Sequence, residues 1–117
     1  MKSEVLVKHI AKELFAKKAE QIVILNVQGV SDYCDFILIA NGSVERHVLA
    51  LSRLVQKALK ERHMQHVHVE GESMSDWIVI DAGEFICHLF VPHLRDKYRL
   101  ESLWKEAKIV PVRMGES

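Results

Sequence analysis

Hydrophobic and polar residues follow two different periods along this chain, and these periods divide it into helices and strands. Apolar residues recur every three or four positions from about Glu4 to Lys18 and again from Ser43 to about Arg62, which predicts two amphipathic helices. Ser3 and Ser43 stand at the start of these segments and are expected to cap the helices. The shorter apolar runs between and after the helices predict strands.

Five strands follow from these runs. They are expected at Ile22 to Val27, Phe36 to Ala40, His66 to Glu70, and in the two arms of a hairpin from Asp76 to Phe90. Pro92 is expected to open a polar stretch before a last helix, whose apolar stripe is Leu100, Leu103, Trp104 and Ala107. The segment Ile109 to Val112 is either a frayed tail or a short edge strand.

The order α-β-β-α-β-β-β-α predicts the fold class. A strand, helix and strand in the middle of the chain require a right-handed crossover, so the sheet should be mixed. We therefore expect an α/β sandwich that forms a single domain over residues 1–117, with a mixed five-stranded sheet and flanking helices.

The hairpin has two unlike faces. If Ala82-Gly83 is a two-residue turn, Asp81 pairs with Glu84 and Trp77 pairs with His88. One face then carries no charge and should be buried against the helices: Ile78, Ile80, Phe85, Cys87 and Leu89. The other face is mixed: Trp77, Val79, Asp81, Glu84, Ile86 and His88. This second face is either interior or a surface that docks a partner.

Composition narrows the possible partners and the compartment. The 117 residues include 16 basic and 16 acidic side chains, and this zero net charge removes the long-range attraction expected of a protein that wraps nucleic acid. Cys34 and Cys87 lie in apolar strand sequence, which fits reduced thiols in a cytosolic protein. The sequence shows neither the apolar core of a signal peptide nor a run of about 20 apolar residues, so we expect a cytoplasmic protein without membrane contact.

The sequence contains little that supports a catalytic site or a metal site. Gly42-Ser43 lies between a strand and a helix, where free N–H groups favour a phosphate. Nucleotidyltransferases carry metal-binding carboxylates about ten residues after such a Gly-Ser, but Arg53 to Lys57 contains none. The histidines that invite a metal hypothesis lack a completing ligand; they are His63, His66, His68 and His88. We predict no catalytic residue, metal or cofactor, and keep a nucleotide-binding enzyme at Gly42-Ser43 as the alternative.

Two cations begin the central helix, where they oppose the helix dipole. Arg46 and His47 are therefore unusual at these positions. Either a functional contact offsets their cost, or Glu45 and Asp35 neutralise them locally.

Several motifs occur together in an order that is typical of one family. They are the segment from Asp35 to Val48 with its Gly42-Ser43 and Arg46-His47, then Glu70-Gly71-Glu72, Asp76 to Glu84, and Arg95 to Trp104 with its Tyr-x-Leu-Glu-x-Leu-Trp pattern. The sequence resembles the Iojap family of ribosomal silencing factors (RsfS) from bacteria and organelles over nearly its whole length. Asn41 and Val44 replace the Thr and Ser that are common in the family around the helix start.

The resemblance implies a nucleotidyltransferase-like topology without catalytic carboxylates. It also implies a non-enzymatic protein that binds the large ribosomal subunit through ribosomal protein L14, blocks subunit joining and so represses translation during nutrient limitation. Contact with ribosomal RNA would be limited, and the free protein would form a homodimer. The partner-binding residues would be Trp77, Val79, Asp81, Ile86 and His88, extended by Arg95 and Tyr98.

Overall fold

The computed structural model describes residues 2–98 and 108–111, and the side chains of residues 4–95 and 108–111. The helices are α1 (Lys2–Ala16), α2 (Glu45–Glu61) and α3 (Pro92–Tyr98). The strands are β1 (Glu20–Asn26), β2 (Phe36–Asn41), β3 (His68–Glu70), β4 (Trp77–Asp81), β5 (Phe85–Phe90) and β6 (Lys108–Ile109).

All the described strands form one mixed sheet in the order β3-β4-β5-β2-β1-β6. Only β2 and β5 pair in parallel among these strands, and the other neighbours are antiparallel. The predicted mixed sheet is confirmed, but it has six strands, not five. The sixth is β6, which pairs with β1 at the sheet edge, so the edge-strand alternative for the tail holds at Lys108–Ile109.

Helices α1 and α2 cover one face of the sheet and bury the main core against it. This core contains the uncharged face of the hairpin, in which Ile78, Ile80, Phe85, Cys87 and Leu89 have no exposed surface, as predicted. The apolar stripes of the helices complete it: Leu6, Ile10 and Leu14 from α1, and Val48, Leu51 and Val55 from α2. Burial of this apolar surface is the main driving force for forming the α/β layers.

Several predicted boundaries are wrong. Helix α1 already includes Ser3, so this residue is not at the predicted N-cap position, and the N-cap of α2 is Val44 without a side-chain cap rather than Ser43. His66 has a positive φ of 62° and precedes the short strand β3. Pro92 begins α3 because its fixed φ suits the first helical position. The predicted last helix, from Leu100 to Ala107, lies outside the described residues.

The hairpin turn lies one residue later than predicted, so each residue of β4 pairs with a β5 residue two positions further along. Asp81 pairs with Ile86, Val79 with His88 and Trp77 with Phe90. The turn is centred on Gly83-Glu84, since the Ala82 N–H donates to the Phe85 carbonyl at 3.0 Å. A shift of this size is even in residues, so the predicted faces survive although every predicted pair is wrong.

Candidate functional site

The sheet face opposite α1 and α2 carries the predicted partner-binding residues on β4 and β5. We call it the Trp77 face and define it as Trp77, Val79, Asp81, Ile86, His88 and Phe90. Residues paired across neighbouring strands lie side by side on the same face, so this face continues onto β2 and β3. Ile37 and Ile39 of β2 lie beside Ile86 and His88, while Glu70 and His68 of the edge strand β3 lie beside Val79 and Asp81.

Exposure divides this face into a buried side and an accessible side. Ile37, Ile39 and Phe90 are almost fully buried, in a second apolar cluster with Leu25 and Val27. Trp77, Val79, Asp81, Ile86 and His88 keep part of their surface accessible, and His68 and Glu70 are exposed. Neither of the two alternatives for this face is therefore right for all of it, because it is interior towards β1 and accessible towards β3.

An aromatic group fixes the indole of Trp77. Its Nε1 donates to Nδ1 of His88 at 3.2 Å, and its ring centroid lies 4.9 Å from that of Phe90. The His88 and Phe90 rings are stacked, with their centroids 6.2 Å apart and their planes at 11°. Since Nδ1 accepts a hydrogen bond, the neutral His88 ring carries its proton on Nε2. The indole is held in one orientation before any partner arrives.

Burial keeps His88 neutral. Desolvation lowers the pKa of His88 from 6.5 to about 4, because the charged imidazolium loses its water in this apolar row. Its neighbours across the strands are Val79 and Ile39, which offer no counter-charge. The Trp77–His88 contact therefore persists at neutral pH.

The accessible side has an acidic rim. It is formed by Glu70 on β3 and Asp81 on β4. Residues 64–94 also contain Glu72, Asp76 and Glu84 and no lysine or arginine, but Glu72 accepts the side-chain amide of Gln56 on α2 at 3.1 Å and so lies on the helix side. Burial raises the pKa of the Cys34 thiol, and the carboxylates of Asp81 and Asp35 raise it further, so these two acids lie near each other at the turn end of the hairpin. One oxygen of Asp81 also accepts the Gly83 N–H at 2.8 Å and so stabilises the turn.

Arg95 does not extend the accessible surface, which corrects its predicted role. It is 5% exposed, and its Nη1 donates to the Gln21 carbonyl at 2.7 Å and to Oδ1 of Asn41 at 2.9 Å. These bonds tie α3 to the ends of β1 and β2. Tyr98 ends α3, and its side chain lies outside the described residues, so its role stays a prediction.

Sequence reasoning missed three residues of the site. Phe90 follows Ile86 and His88 at strand alternation, and that spacing alone could have placed it on the Trp77 face. His68 and Glu70 reach the same face only through the pairing of β3 with β4, for which the sequence carries no local signal. In the sequence, Asn41 stands out only because it replaces a threonine that is common in the family. In the structure its amide oxygen accepts a hydrogen bond from the buried Arg95.

The Gly42-Ser43 helix start is occupied by the protein's own side chain. Ser43 N–H donates to Nδ1 of His47 at 2.9 Å, and Nε2 of His47 lies 2.8 Å from the Lys17 carbonyl. The His47 ring thus links the end of α1 to the start of α2. A Cβ on Gly42 would lie 2.8 Å from both Cγ2 and N of Val48, so close packing accounts for this glycine.

The remaining candidate features are the cations at the start of α2, the metal-binding side chains and a membrane-spanning helix. Arg46 is exposed and forms no ion pair with Glu45 or Asp35, so local neutralisation is not observed there. No group of three metal-binding side chains occurs among the described residues. None of the described helices is both long enough and apolar enough to cross a bilayer.

Comparison with known proteins identifies the family. Residues 1–116 match the model of a family described as "Ribosomal silencing factor during starvation" (RsfS). The chain is 38% identical to the ribosomal silencing factor RsfS of Halalkalibacterium halodurans over 94 residues, or 80% of each protein. It is 33% identical to the mouse protein named "Mitochondrial assembly of ribosomal large subunit protein 1" over 75% of this chain and 40% of that protein.

Solved structures agree with these sequence matches. A crystal structure from Bacillus halodurans superposes with a TM-score of 0.78 at 32% identity, covering 96% of this chain and 100% of the other. A crystal structure from Chromobacterium violaceum gives a TM-score of 0.79 at 28% identity, covering 95% and 91%. The resemblance drawn from the motifs is confirmed, and the chain belongs to the RsfS family of ribosomal silencing factors.

Proposed function

We propose that this protein binds the large ribosomal subunit through ribosomal protein L14 and sterically prevents the small subunit from joining. In the cytoplasm this would repress translation when nutrients are limited. The proposal needs occupancy of a surface and no chemical step, and the relatives are named as silencing factors rather than enzymes. The name of the mouse relative refers to the large subunit, which supports the choice of subunit.

The observation that carries the proposal is the partly exposed Trp77, held in place by His88 and Phe90. Binding energy in protein interfaces concentrates in a few aromatic or arginine anchors surrounded by a polar rim. A tryptophan oriented before binding loses little side-chain entropy when a partner covers it. Val79 and Ile86 supply apolar surface beside the anchor.

The acidic rim indicates the character of the partner. With Glu70 and Asp81 on it and no lysine or arginine in residues 64–94, this side of the protein complements a basic surface. Proteins that neutralise RNA phosphates carry such basic surfaces. The electrostatic term should favour a ribosomal protein over RNA at this face and should weaken with added salt.

Nothing in the geometry favours the nucleotide-binding alternative. The Ser43 N–H, which a phosphate would need, donates to His47. The close contact with Val48 explains Gly42 without a ligand. Glutamine in place of His47, with nucleotide binding measured before and after, would reveal a masked site if one existed.

Trp77→Ala tests the proposed function. We expect it to cost about 2 to 4 kcal/mol of binding to purified L14, a loss of affinity of roughly thirtyfold or more. It should also abolish inhibition of subunit joining, measured by light scattering or by sedimentation of mixed subunits. Phe15→Ala is the matched control, because Phe15 is an aromatic residue of α1 that is 44% exposed, away from the Trp77 face.

A second variant separates binding from folding. Truncation of Trp77 also removes its contact with Phe90 and is expected to lower the melting temperature. Val79→Arg leaves that contact in place and adds bulk and charge to the accessible side. If both variants bind L14 as tightly as the unchanged protein, the Trp77 face is not the contact.

A further inference from the structure

The exposed side of α2 carries a row of cations that the proposed contact with L14 does not use. We call Arg46, Arg53, Lys57 and Lys60 the α2 stripe. The spacings of seven, four and three residues place them within about 60° around the helix, and their total of 14 residues spans roughly 21 Å along its axis. All four side chains are exposed.

The charges of the stripe are not neutralised within the described part of the molecule. The ion pairs found there join Glu4 to Lys8 and His9 to Glu13, both within α1. Helix α2 itself has four cations and only two acids, Glu45 and Glu61, and Arg62 follows it directly. Four like charges on one helix face repel each other, a cost that only Lys60 in the last turn partly offsets through the helix dipole.

The stripe lies on the opposite side of the sheet from the Trp77 face, because α2 packs on the uncharged face of the hairpin. The cations of the stripe and the carboxylates of Glu70 and Asp81 therefore lie on opposite sides of the sheet. Zero net charge conceals this division, since the five carboxylates of residues 64–94 offset the cations elsewhere. A local basic row attracts phosphates at short range whatever the net charge.

We infer that the α2 stripe binds the phosphate backbone of RNA. Each strand of a duplex carries a phosphate for every 3.4 Å of axis, so a row of roughly 21 Å spans several phosphates. Arg53 and Lys57 also border an open groove of about 750 Å³ between α1 and α2. Glu13 and Glu61 line that groove too, so the phosphates are expected on the outer side of the helix.

The inference rests on the proposed function for the identity of the RNA, which would be ribosomal RNA near the docking site. It extends the limited RNA contact expected from the sequence to a named surface. The protein would then contact the large subunit through two surfaces. The Trp77 face would bind a ribosomal protein, and the α2 stripe would bind an RNA backbone. Linking two weak contacts in this way raises the overall affinity more than either contact alone.

The double variant Arg53→Glu with Lys57→Glu tests the inference on the full chain. A control variant, Lys12→Glu with Lys108→Glu, changes the net charge equally at exposed residues outside the stripe. Three probes are used for each: a single-stranded polyuridine RNA at low salt, purified L14, and purified large subunits over a series of salt concentrations. Circular dichroism and melting temperature check that each variant is folded.

We expect the stripe variant to lose tenfold or more affinity for the RNA and for large subunits, with its affinity for L14 unchanged. The slope of log affinity against log salt should become shallower by about 1.5, the loss of two phosphate contacts. Equal losses in the stripe and control variants, or none in either, would overturn the inference. Weaker binding of the stripe variant to L14 alone would assign the stripe to a protein contact instead and also overturn it.

Because RNA, L14 and large subunits are measured separately, failure of this inference can be distinguished from failure of the proposed function. If the unchanged protein fails to bind L14 but loses RNA affinity through the stripe variant, the proposed partner is wrong and the stripe assignment stands. If L14 binding depends on Trp77 but the stripe variant binds RNA and large subunits as tightly as the unchanged protein, the proposed partner stands and the stripe assignment is wrong.

Discussion

The buried neutral His88 should make the stability of this protein depend on pH in a defined window. The imidazole accepts the indole N–H of Trp77 and stacks on Phe90, so the native state holds it without a proton. Burial lowers the pKa of His88 to about 4, against 6.5 for an exposed histidine. Between these two values the unfolded chain binds a proton at this residue that the native protein does not.

The sign and size of the effect follow from this difference. Because the unfolded state binds more protons in the window, the free energy of unfolding rises with pH between about 4 and 6.5. Lowering the pH from 7 to 5 should cost about 2 kcal/mol through His88, and the full loss below pH 4 approaches roughly 3 kcal/mol. Protonation would also remove the acceptor that orients Trp77, so binding at the Trp77 face should weaken in the same range.

Urea denaturation at half-unit pH steps from 4.5 to 7.5 measures the effect, with His88→Gln as the matched variant. Glutamine offers an amide oxygen to the Trp77 indole but does not titrate. The other six histidines and all carboxylates are common to both proteins, so the difference between the two stability curves isolates His88. Parallel curves between pH 5 and 7 would show that the native ring is accessible to protons, contrary to the reasoning.

Three further predictions concern the fold around the site. Gly71→Ala should destabilise by several kcal/mol, because its Cβ would clash with the Trp77 carbonyl oxygen. Gly83→Ala, with a similar positive φ but open space around it, should cost only about 1 to 2 kcal/mol, and thermal melts compare the two variants. Arg95→Met should cost about 2 to 4 kcal/mol of stability, measured by urea denaturation, because it removes the hydrogen bonds that this buried side chain makes to Gln21 and Asn41. The folded variant should bind L14 nearly as tightly as the unchanged protein, and a large loss of affinity without a loss of stability would restore the predicted surface role of Arg95. Burial raises the pKa of the Cys87 thiol to about 12, so iodoacetamide at pH 8 should modify Cys87 only through unfolding, as mass spectrometry of a Cys34→Ala protein would show.

The layers of the fold could be predicted from the sequence because side-chain periodicity reports burial directly. The apolar stripe through Val48, Leu51 and Val55 gave α2, and the uncharged alternation from Ile78 to Leu89 gave the buried face of the hairpin. Periodicity says nothing about which strands pair. The position of β3 beside β4 and the parallel pairing of β2 with β5 depend on long-range packing, so the residues that β3 adds to the site were missed.

The candidate site illustrates the same limit. Trp77, Val79, Asp81, Ile86 and His88 share one face as predicted despite the wrong turn, since alternation survives an even shift in register. Arg95 was misassigned because a charged residue next to a family motif suggests a surface role, while its hydrogen bonds to Gln21 and Asn41 come from distant parts of the chain. Single positions whose partners are remote in sequence are the ones that local patterns cannot place.

Net charge does not describe the surface of this protein at contact distance, for a related physical reason. A sum over all residues describes the field at distances larger than the protein, and there the zero net charge does exclude strong attraction. At contact distance in physiological salt, screening over about 8 Å leaves each surface to act by itself. The charges of the α2 stripe and of the acidic rim then act on their surroundings separately. A neutral protein can therefore contact a basic ribosomal protein and an RNA backbone at once, provided that its fold holds the two charges apart, as the sheet between α2 and the Trp77 face does here.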